Sequence, residues 1–386
     1  MSLNSKNLGQ DNHPKQSISI DVNVNAIETR LINGIEQISN YQKENPDIYG
    51  DEIISNLLKN KKLIYKINKH EEIFINNQKN DLIKIFKYLK FRYKFYLCGS
   101  KKIDLGHPPY VLIEPVSTCN LRCPFCFQTD KSFTKKPFMG VMNLDLFKKI
   151  VIELNNLEVG AVTMGSRGEP TLHKNLDEML SFLSKQENIF EIKINTNASF
   201  LNEKLCHTLL KNNVTQIVIS ADHYLKDDYE RLRLGANFEK IIQNVDLLYD
   251  IRAKNYPNSV TEIRITGIDN ERNLDRKKFH DFWIKRSDHV AAGYPVERWN
   301  TYENTPHEDI NDPCDYIWDR MYIWFDGKVN PCDADYKSYL SYGNVKDNTI
   351  KEIWDGEKLK KLRDQHLSNS RNKIVPCDRC GTSFCK

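Results

Sequence analysis

No run of about eighteen apolar residues occurs in this chain of 386 residues, so no segment reads as a membrane-spanning helix. Met1 to Lys15 is polar, with neither a hydrophobic stretch nor a small-residue cleavage site, which sets aside a secretory signal. Neither charge sign dominates: 56 Lys and Arg face 52 Asp and Glu, and a net charge of +4 gives no general affinity for polyanions. Basic residues do gather between Lys59 and Lys102, but without an aromatic stacking motif of the RNA-binding kind, and no nucleic-acid partner is expected. Low-complexity tracts are missing as well, and 40% hydrophobic with 28% charged residues is an ordinary globular composition. Such a length buries a substantial core, as one large domain with appendages or as roughly two to three domains. What the chain has in quantity is cysteine, ten in all. Without a secretory signal the expected compartment is the reducing cytoplasm, where cysteines serve as metal ligands or catalytic thiols rather than disulfides.

Residues 1–25 are polar and aperiodic and are expected to be flexible. Residues 26–106 read as mainly helical. Within them Leu82, Ile85, Phe86, Leu89, Tyr93 and Tyr96 fall on one helical stripe, with Lys84, Lys87, Lys90 and Lys94 largely outside it. A basic amphipathic helix of this kind can lie on an anionic membrane or grip an acidic ligand. The breadth of the stripe favours a helix packed on the main domain with its lysine face solvated. From 107 to 300 six short apolar runs, beginning near Tyr110, Gly160, Phe190, Gln216, Thr261 and His289, are expected as strands. Helical stretches separate them, a rhythm that implies parallel strands joined by right-handed crossovers. It fits a partial (β/α)6 barrel or an open doubly wound sheet, and in either case the chemistry belongs at the C-terminal ends of the strands. Residues 301–386 break the rhythm and form a cysteine-rich tail.

Cys98 and Cys206 stand alone and read as small buried hydrophobes. The others cluster. Cys119, Cys123 and Cys126 make a CxxxCxxC loop directly after the first expected strand. Three thiolates on one loop can hold three irons of a cubane cluster and leave the fourth iron open; the alternative is a zinc site completed by a distant ligand.

This loop resembles the signature of the radical SAM superfamily, with Phe125 as the aromatic residue before the last cysteine. The resemblance implies an α/β fold, a TIM-like partial barrel over 107–300, and a [4Fe-4S] cluster that binds S-adenosylmethionine (SAM). In that family reductive cleavage of SAM gives a 5′-deoxyadenosyl radical that abstracts a substrate hydrogen. Gly165-Ser166-Arg167-Gly168-Glu169-Pro170, after the second strand, is similar to the family's GGEP motif, in which Gly168 and Glu169 would meet the methionine ammonium. Arg167 departs from it, standing where the motif's first glycine would be. Asn197, Ser220 and Arg233, with Asp222, resemble positions that touch the ribose and carboxylate of SAM.

The tail carries Cys314, Cys332, Cys377, Cys380 and Cys385. The four that end in Cys377-Asp-Arg-Cys380 suit tetrahedral zinc or a fully ligated cubane. The succession Asp326-Gly327 to Cys332, Gly343-Asn344-Val345 and Ile353-Trp354 resembles SPASM and Twitch extensions, which implies one auxiliary [4Fe-4S] cluster on Cys314, Cys332, Cys377 and Cys380. Cys385 is left over. An auxiliary cluster beside a radical site favours net oxidation of a hydroxylated small molecule or sugar derivative, with a donor such as flavodoxin or ferredoxin. His223, Tyr294, Glu297 and Arg298 lie at or beyond strand ends as substrate-side candidates. A peptide-modifying maturase, with the first hundred residues as a winged-helix substrate module, and a non-enzymatic iron–sulfur or zinc protein are the other readings.

Overall fold

The computed structural model describes residues 23–78, 81–295, 300–307 and 309–381. The expectation of flexibility for 1–25 falls outside these residues, except for 23–25, which open the first helix. Five helices come first: α1 (Val24–Asn33), α2 (Ile35–Glu44), α3 (Ile48–Asn60), α4 (Lys69–Asn77) and α5 (Leu82–Lys101). Their starts are encoded locally. Asp47 accepts the backbone N–H groups of Tyr49 and Gly50, Asn68 and Glu71 form a capping box, and Asp81 accepts from Lys84. No strand occurs among these described residues.

The expected strand–helix rhythm follows as β1 (Tyr110–Ile113), α6 (Leu144–Asn156), β2 (Ala161–Met164), α7 (Leu176–Leu183), β3 (Glu191–Thr196), α8 (Glu203–Lys211), β4 (Gln216–Ser220), α9 (Lys226–Leu232), α10 (Phe238–Asn255), β5 (Glu262–Ile268), α11 (Arg276–Trp283) and β6 (His289–Gly293). The six strands lie side by side in chain order, all parallel. A doubly wound sheet would reverse direction at a switch point; this order never reverses, so the fold is the partial barrel.

The tail extends the same sheet. After α12 (Tyr316–Asp319), β7 (Met321–Ile323) pairs parallel with β1, Val111 opposite Met321, and β8 (Lys328–Asn330) and β9 (Gly343–Asn344) add antiparallel. Then come α13 (Ile350–Trp354) and α14 (Glu357–Leu367). Strands of two or three residues are too short to show an alternating pattern, which is why the tail did not read as sheet. Its Met321, Ile323, Val329 and Trp354 share one apolar core with the barrel strands and helices.

Alternation assigns the barrel's two faces. Val111, Ile113, Ile192, Ile194, Ile263 and Ile265 are buried under the helices, so Leu112, Lys193, Asn195, Arg264 and Thr266 face the lumen. The N-terminal helices close its lower end. Phe91 of α5 packs against Gly160, leaving no room there for a Cβ. At the strand starts, Glu191 accepts from Tyr88 at 2.6 Å and lies 3.5 Å from Arg92, while His70 reaches Glu262 at 2.9 Å and Glu191 at 3.4 Å.

One expectation for α5 needs correction. Its lysine face is only partly solvated: Lys84 is exposed, but Lys94 pairs with Asp47 at 2.7 Å, Lys90 lies 3.9 Å from the same carboxylate, and Lys87 sits over the Tyr41 ring. The helix packs against α2 and α3 on one side and the barrel on the other, as the breadth of its apolar stripe implied. Tyr96, placed on the buried stripe, is 49% exposed.

Burial alone would depress His70, but Glu191 and Glu262 outweigh it and hold the imidazole at about 9, against 6.5 for an ordinary histidine. Arg92 and His70 likewise outweigh the burial of Glu191 and hold it at about 2. The histidine's contribution to folding is therefore complete below pH 6.5 and lost as the pH rises through about 9. That of Glu191 is complete above pH 4.5 and lost as the pH falls through about 2. The apparent melting temperature, followed by circular dichroism, is expected to decline between pH 6.5 and 9. In His70→Ala it should be lower and nearly level across that window.

Candidate functional site

The cysteine loop leaves β1 through Glu114 and Pro115 and is clamped from several sides. Ser117 N donates to Gly140 O (3.1 Å), Glu169 N to Thr118 O (2.9 Å) and Arg122 N to Leu234 O (2.9 Å). Gly168 lies directly against the carbonyls of Val116 and Thr118, where a Cβ has no space. Gln128 ties the loop to the turn after β2, donating to Ser117 O at 2.7 Å and Arg167 O at 2.6 Å. Nothing in the sequence singled out Gln128, because one amide after a motif carries no periodic signal.

Burial pushes the Cys119 thiol up to about 11 and Cys126 up to about 12, and raises Cys123, which Arg233 partly offsets. Each of these thiols interacts electrostatically with at least one other of the three or with Arg233. Cys119 Sγ accepts from Leu121 N at 3.4 Å and faces Asn197 Nδ2 at 3.8 Å. Thiols held neutral by burial, yet already offered N–H donors, suit a cationic iron centre that supplies the charge for their ionisation.

Of the other expected cofactor residues, Gly168, Glu169, Asn197 and Arg233 meet this loop. Asn197 Nδ2 bonds Asn120 at 2.9 Å. Arg233, buried at the end of α9, pairs with Asp222 at 2.8 Å and leaves its buried Nε without a partner. Ser220 ends β4 on the lumen side, and Phe125 is half-buried within the loop. Glu169 is buried, with its carboxylate raised by that burial; it accepts from Thr171 Oγ1 (2.5 Å), Thr196 Oγ1 (2.7 Å) and Asn197 N (2.8 Å). It braces the ends of β2 and β3 against each other. Of the substrate-side candidates, His223 stacks on Tyr224 and accepts from Leu225 N, and Tyr294 lies beside Arg272 and Arg276. Glu297 and Arg298 lie outside the described residues.

Arg167, the departure from the motif, has a definite place. Its guanidinium meets Glu114 in a bidentate pair at 2.5 and 2.6 Å, and both side chains are at most 1% exposed. The remaining NH group donates to Tyr336 O at 2.7 Å, and the plane lies over Trp324. Glu114 also accepts from Phe325 N at 3.3 Å. One ion pair thus joins β1, the turn after β2 and the tail. Phe127 next to Cys126 completes the junction by stacking on Tyr336.

The tail's four cysteines lie within electrostatic reach of one another. Cys314 interacts with Cys380, Cys332 with Cys377 and Cys380, and Cys377 with Cys314 and Cys380. Cys332 also packs against the lumen-facing group of Leu112, Tyr322 and Trp324. Arg371, 1% exposed, lowers Cys314 and Cys377 against their burial, and His366 accepts from Cys314 N at 3.2 Å. Neither residue was singled out in the sequence. Among the described residues no three His, Cys, Asp or Glu side chains close on a single metal-ion position. Cys98 and Cys206 are fully buried, as expected, and Cys385 lies outside the described residues.

Residues 113–282 match the sequence model of the Radical SAM superfamily, and residues 314–381 match SPASM, an iron–sulfur cluster-binding domain. The chain belongs to the radical SAM superfamily. This radical SAM enzyme is 23% identical, over 69% of its length and 90% of the relative's, to the S-adenosyl-L-methionine-dependent 2-deoxy-scyllo-inosamine dehydrogenase of Niallia circulans. The solved structure of BtrN in complex with AdoMet and 2-DOIA shares its fold at a TM-score of 0.50 and 20% identity, covering 72% of this chain and 94% of that one. SuiB of Streptococcus suis bound to precursor peptide SuiA does so at 0.52 and 16% identity, covering 94% of this chain and 87% of that one. Family membership brings SAM and a [4Fe-4S] cluster, and the SPASM match brings auxiliary iron–sulfur chemistry in place of zinc. No described helix is long and apolar enough to cross a membrane.

Removing Arg167 alone strands a buried carboxylate. Arg167→Met is expected to lower stability by about 3–5 kcal/mol in chemical denaturation, and the double change Glu114→Gln with Arg167→Met to recover much of that loss.

Proposed function

We propose that this enzyme oxidises a hydroxylated small molecule, a sugar or cyclitol derivative, in the barrel lumen. The supporting observation is the contact of Cys332 with lumen-facing Leu112, Tyr322 and Trp324, which sets the tail's thiols against the space where a substrate would sit. The likeness to a SAM-dependent dehydrogenase along 90% of that relative's length supports the same reading. Cys119, Cys123 and Cys126 would hold the SAM-binding cluster, and Cys314, Cys332, Cys377 and Cys380 one auxiliary cluster. When bound, SAM with the first cluster supplies a 5′-deoxyadenosyl radical for hydrogen abstraction, and the auxiliary cluster supplies an acceptor for the second electron of the oxidation.

The chain's own residues do the rest. Gly168 lets the turn after β2 lie against the cysteine loop, and Glu169, Thr196 and Asn197 fix the ends of β2 and β3 around it. Asp222 holds Arg233 beside Cys123, where the guanidinium can meet the carboxylate of SAM. The α5 floor packs across the strand starts and narrows access from below, in keeping with the enclosure a reactive carbon radical requires. His223 and Tyr294 remain the described candidates for handling the substrate's hydroxyl proton. The expected setting is the reducing cytoplasm, with a flavodoxin or ferredoxin as donor.

The five N-terminal helices, which offer no strand edge, weigh against the winged-helix peptide module of a maturase. Anaerobic reconstitution with iron, sulfide, SAM and a reductant should yield 5′-deoxyadenosine, and a deuterated hydroxylated substrate should pass its label into it; absence of 5′-deoxyadenosine would defeat the proposal. Cys126→Ala should abolish SAM cleavage. Cys332→Ala should keep it, uncoupled from product, whereas equal loss of both would make the tail structural.

A further inference from the structure

Two cations in the lumen have no counterpart in the functions assigned so far. Lys193 on β3 lies between Ile192 and Ile194, and Arg264 on β5 between Ile263 and Ile265; all four isoleucines are buried under the helices. Both cationic side chains therefore project into the barrel. The register sets Asn195, Val218 and Arg264 at one level, with Lys193 one pleat below Asn195. β3 and β5 are two strand spacings apart, roughly 9–10 Å, a gap that two long side chains close from either side.

Among the described residues neither cation has a hydrogen bond or an ion pair, and Arg264 Nε is buried without a partner. Of the nearby carboxylates, Glu191 lies one pleat below Lys193 and Glu262 at its level, and both are already engaged by other groups. Glu191 is engaged by Tyr88, His70 and Arg92, and Glu262 by His70, Gln216 and His289. Burial, and then the charge of Arg264, push the Lys193 ammonium down to about 8, and burial lowers Arg264 too. Glu191 and Glu262 offset part of this for Lys193, and Glu262 for Arg264, but neither carboxylate bonds either cation, and like charges inside a barrel are costly unless a ligand adds opposite charge. Around them Asn195 Oδ1 is buried and unpartnered, and Thr266 faces the same space. The opposite wall is apolar: Leu112, Tyr322 and Trp324, with Cys332 against them.

We propose that the lumen binds a molecule carrying an anionic group, phosphate or carboxylate, held between Lys193 and Arg264, with Asn195 and Thr266 hydrogen-bonding its polar body. The anion site stands on the lumen geometry; that its occupant is the molecule oxidised rests on the function proposed above.

Equilibrium dialysis of the reconstituted holoenzyme against labelled inorganic phosphate, and separately against labelled acetate, tests it. Saturable binding of about one anion per chain is expected, weakened at least tenfold in Lys193→Met and in Arg264→Met. Stronger phosphate binding would mark a phosphorylated substrate, and stronger acetate binding a carboxylate. In the wild-type protein, phosphate should also slow acetylation of Lys193 by acetic anhydride, read by mass spectrometry, so the test survives a variant that fails to fold. Absence of saturable binding, binding that persists in both variants, or displacement of phosphate by SAM would overturn the proposal. Holoenzyme that forms 5′-deoxyadenosine but binds neither anion would sink the anion site alone. Holoenzyme that binds phosphate but forms none would sink the assigned reaction alone.

Discussion

The bidentate pair of Arg167 with Glu114 is the constraint on which the upper end of the barrel depends. It is almost wholly removed from water, and its partners lie on three parts of the chain: the end of β1, the turn after β2, and the tail at Tyr336 and Phe325. A buried ion pair contributes little net stability over an apolar replacement, but it tolerates few alternative geometries. Its value is therefore positional. With the pair in place, Gly168 and Glu169 meet the cysteine loop on one side and Trp324 meets the lumen on the other, so the SAM-side residues and the tail share one rigid reference.

Below this junction the barrel is organised by charge. The N-terminal helices bring His70 and Arg92 to carboxylates that open β3 and β5, neutralising the floor and closing it. At and above the level of Glu262, Lys193 and Arg264 have no carboxylate bonded to them, and above those come the polar strand ends and the cysteine loop. Charge compensation is complete where helices seal the barrel and incomplete where a ligand would enter, a division expected of a site kept ready for a partner of opposite sign.

The strand–helix rhythm and the cysteine spacing were legible because both are short-range patterns. Six apolar runs fell close to the observed strands, and an eight-residue motif was sufficient to point to radical SAM chemistry. The lumen wall was partly legible: Ile263-Arg264-Ile265-Thr266 alternates plainly, but which face is the interior is decided by helices far along the chain. Tertiary relations left no sequence trace. Arg167 read as a flaw in a motif because its partner lies on another strand, and Lys90 and Lys94 read as solvated because Asp47 comes from α3's cap. The tail strands were too short for any period to register.

The pairing of β7 with β1 brings together residues some two hundred positions apart in sequence. The first thiol set is contained in eight consecutive residues, whereas the second is spread from Cys314 to Cys380 and depends on how the tail folds. Contacts of such separation close slowly. The two thiol sets therefore differ in kind: one is local in the chain, and the other is a product of long-range folding.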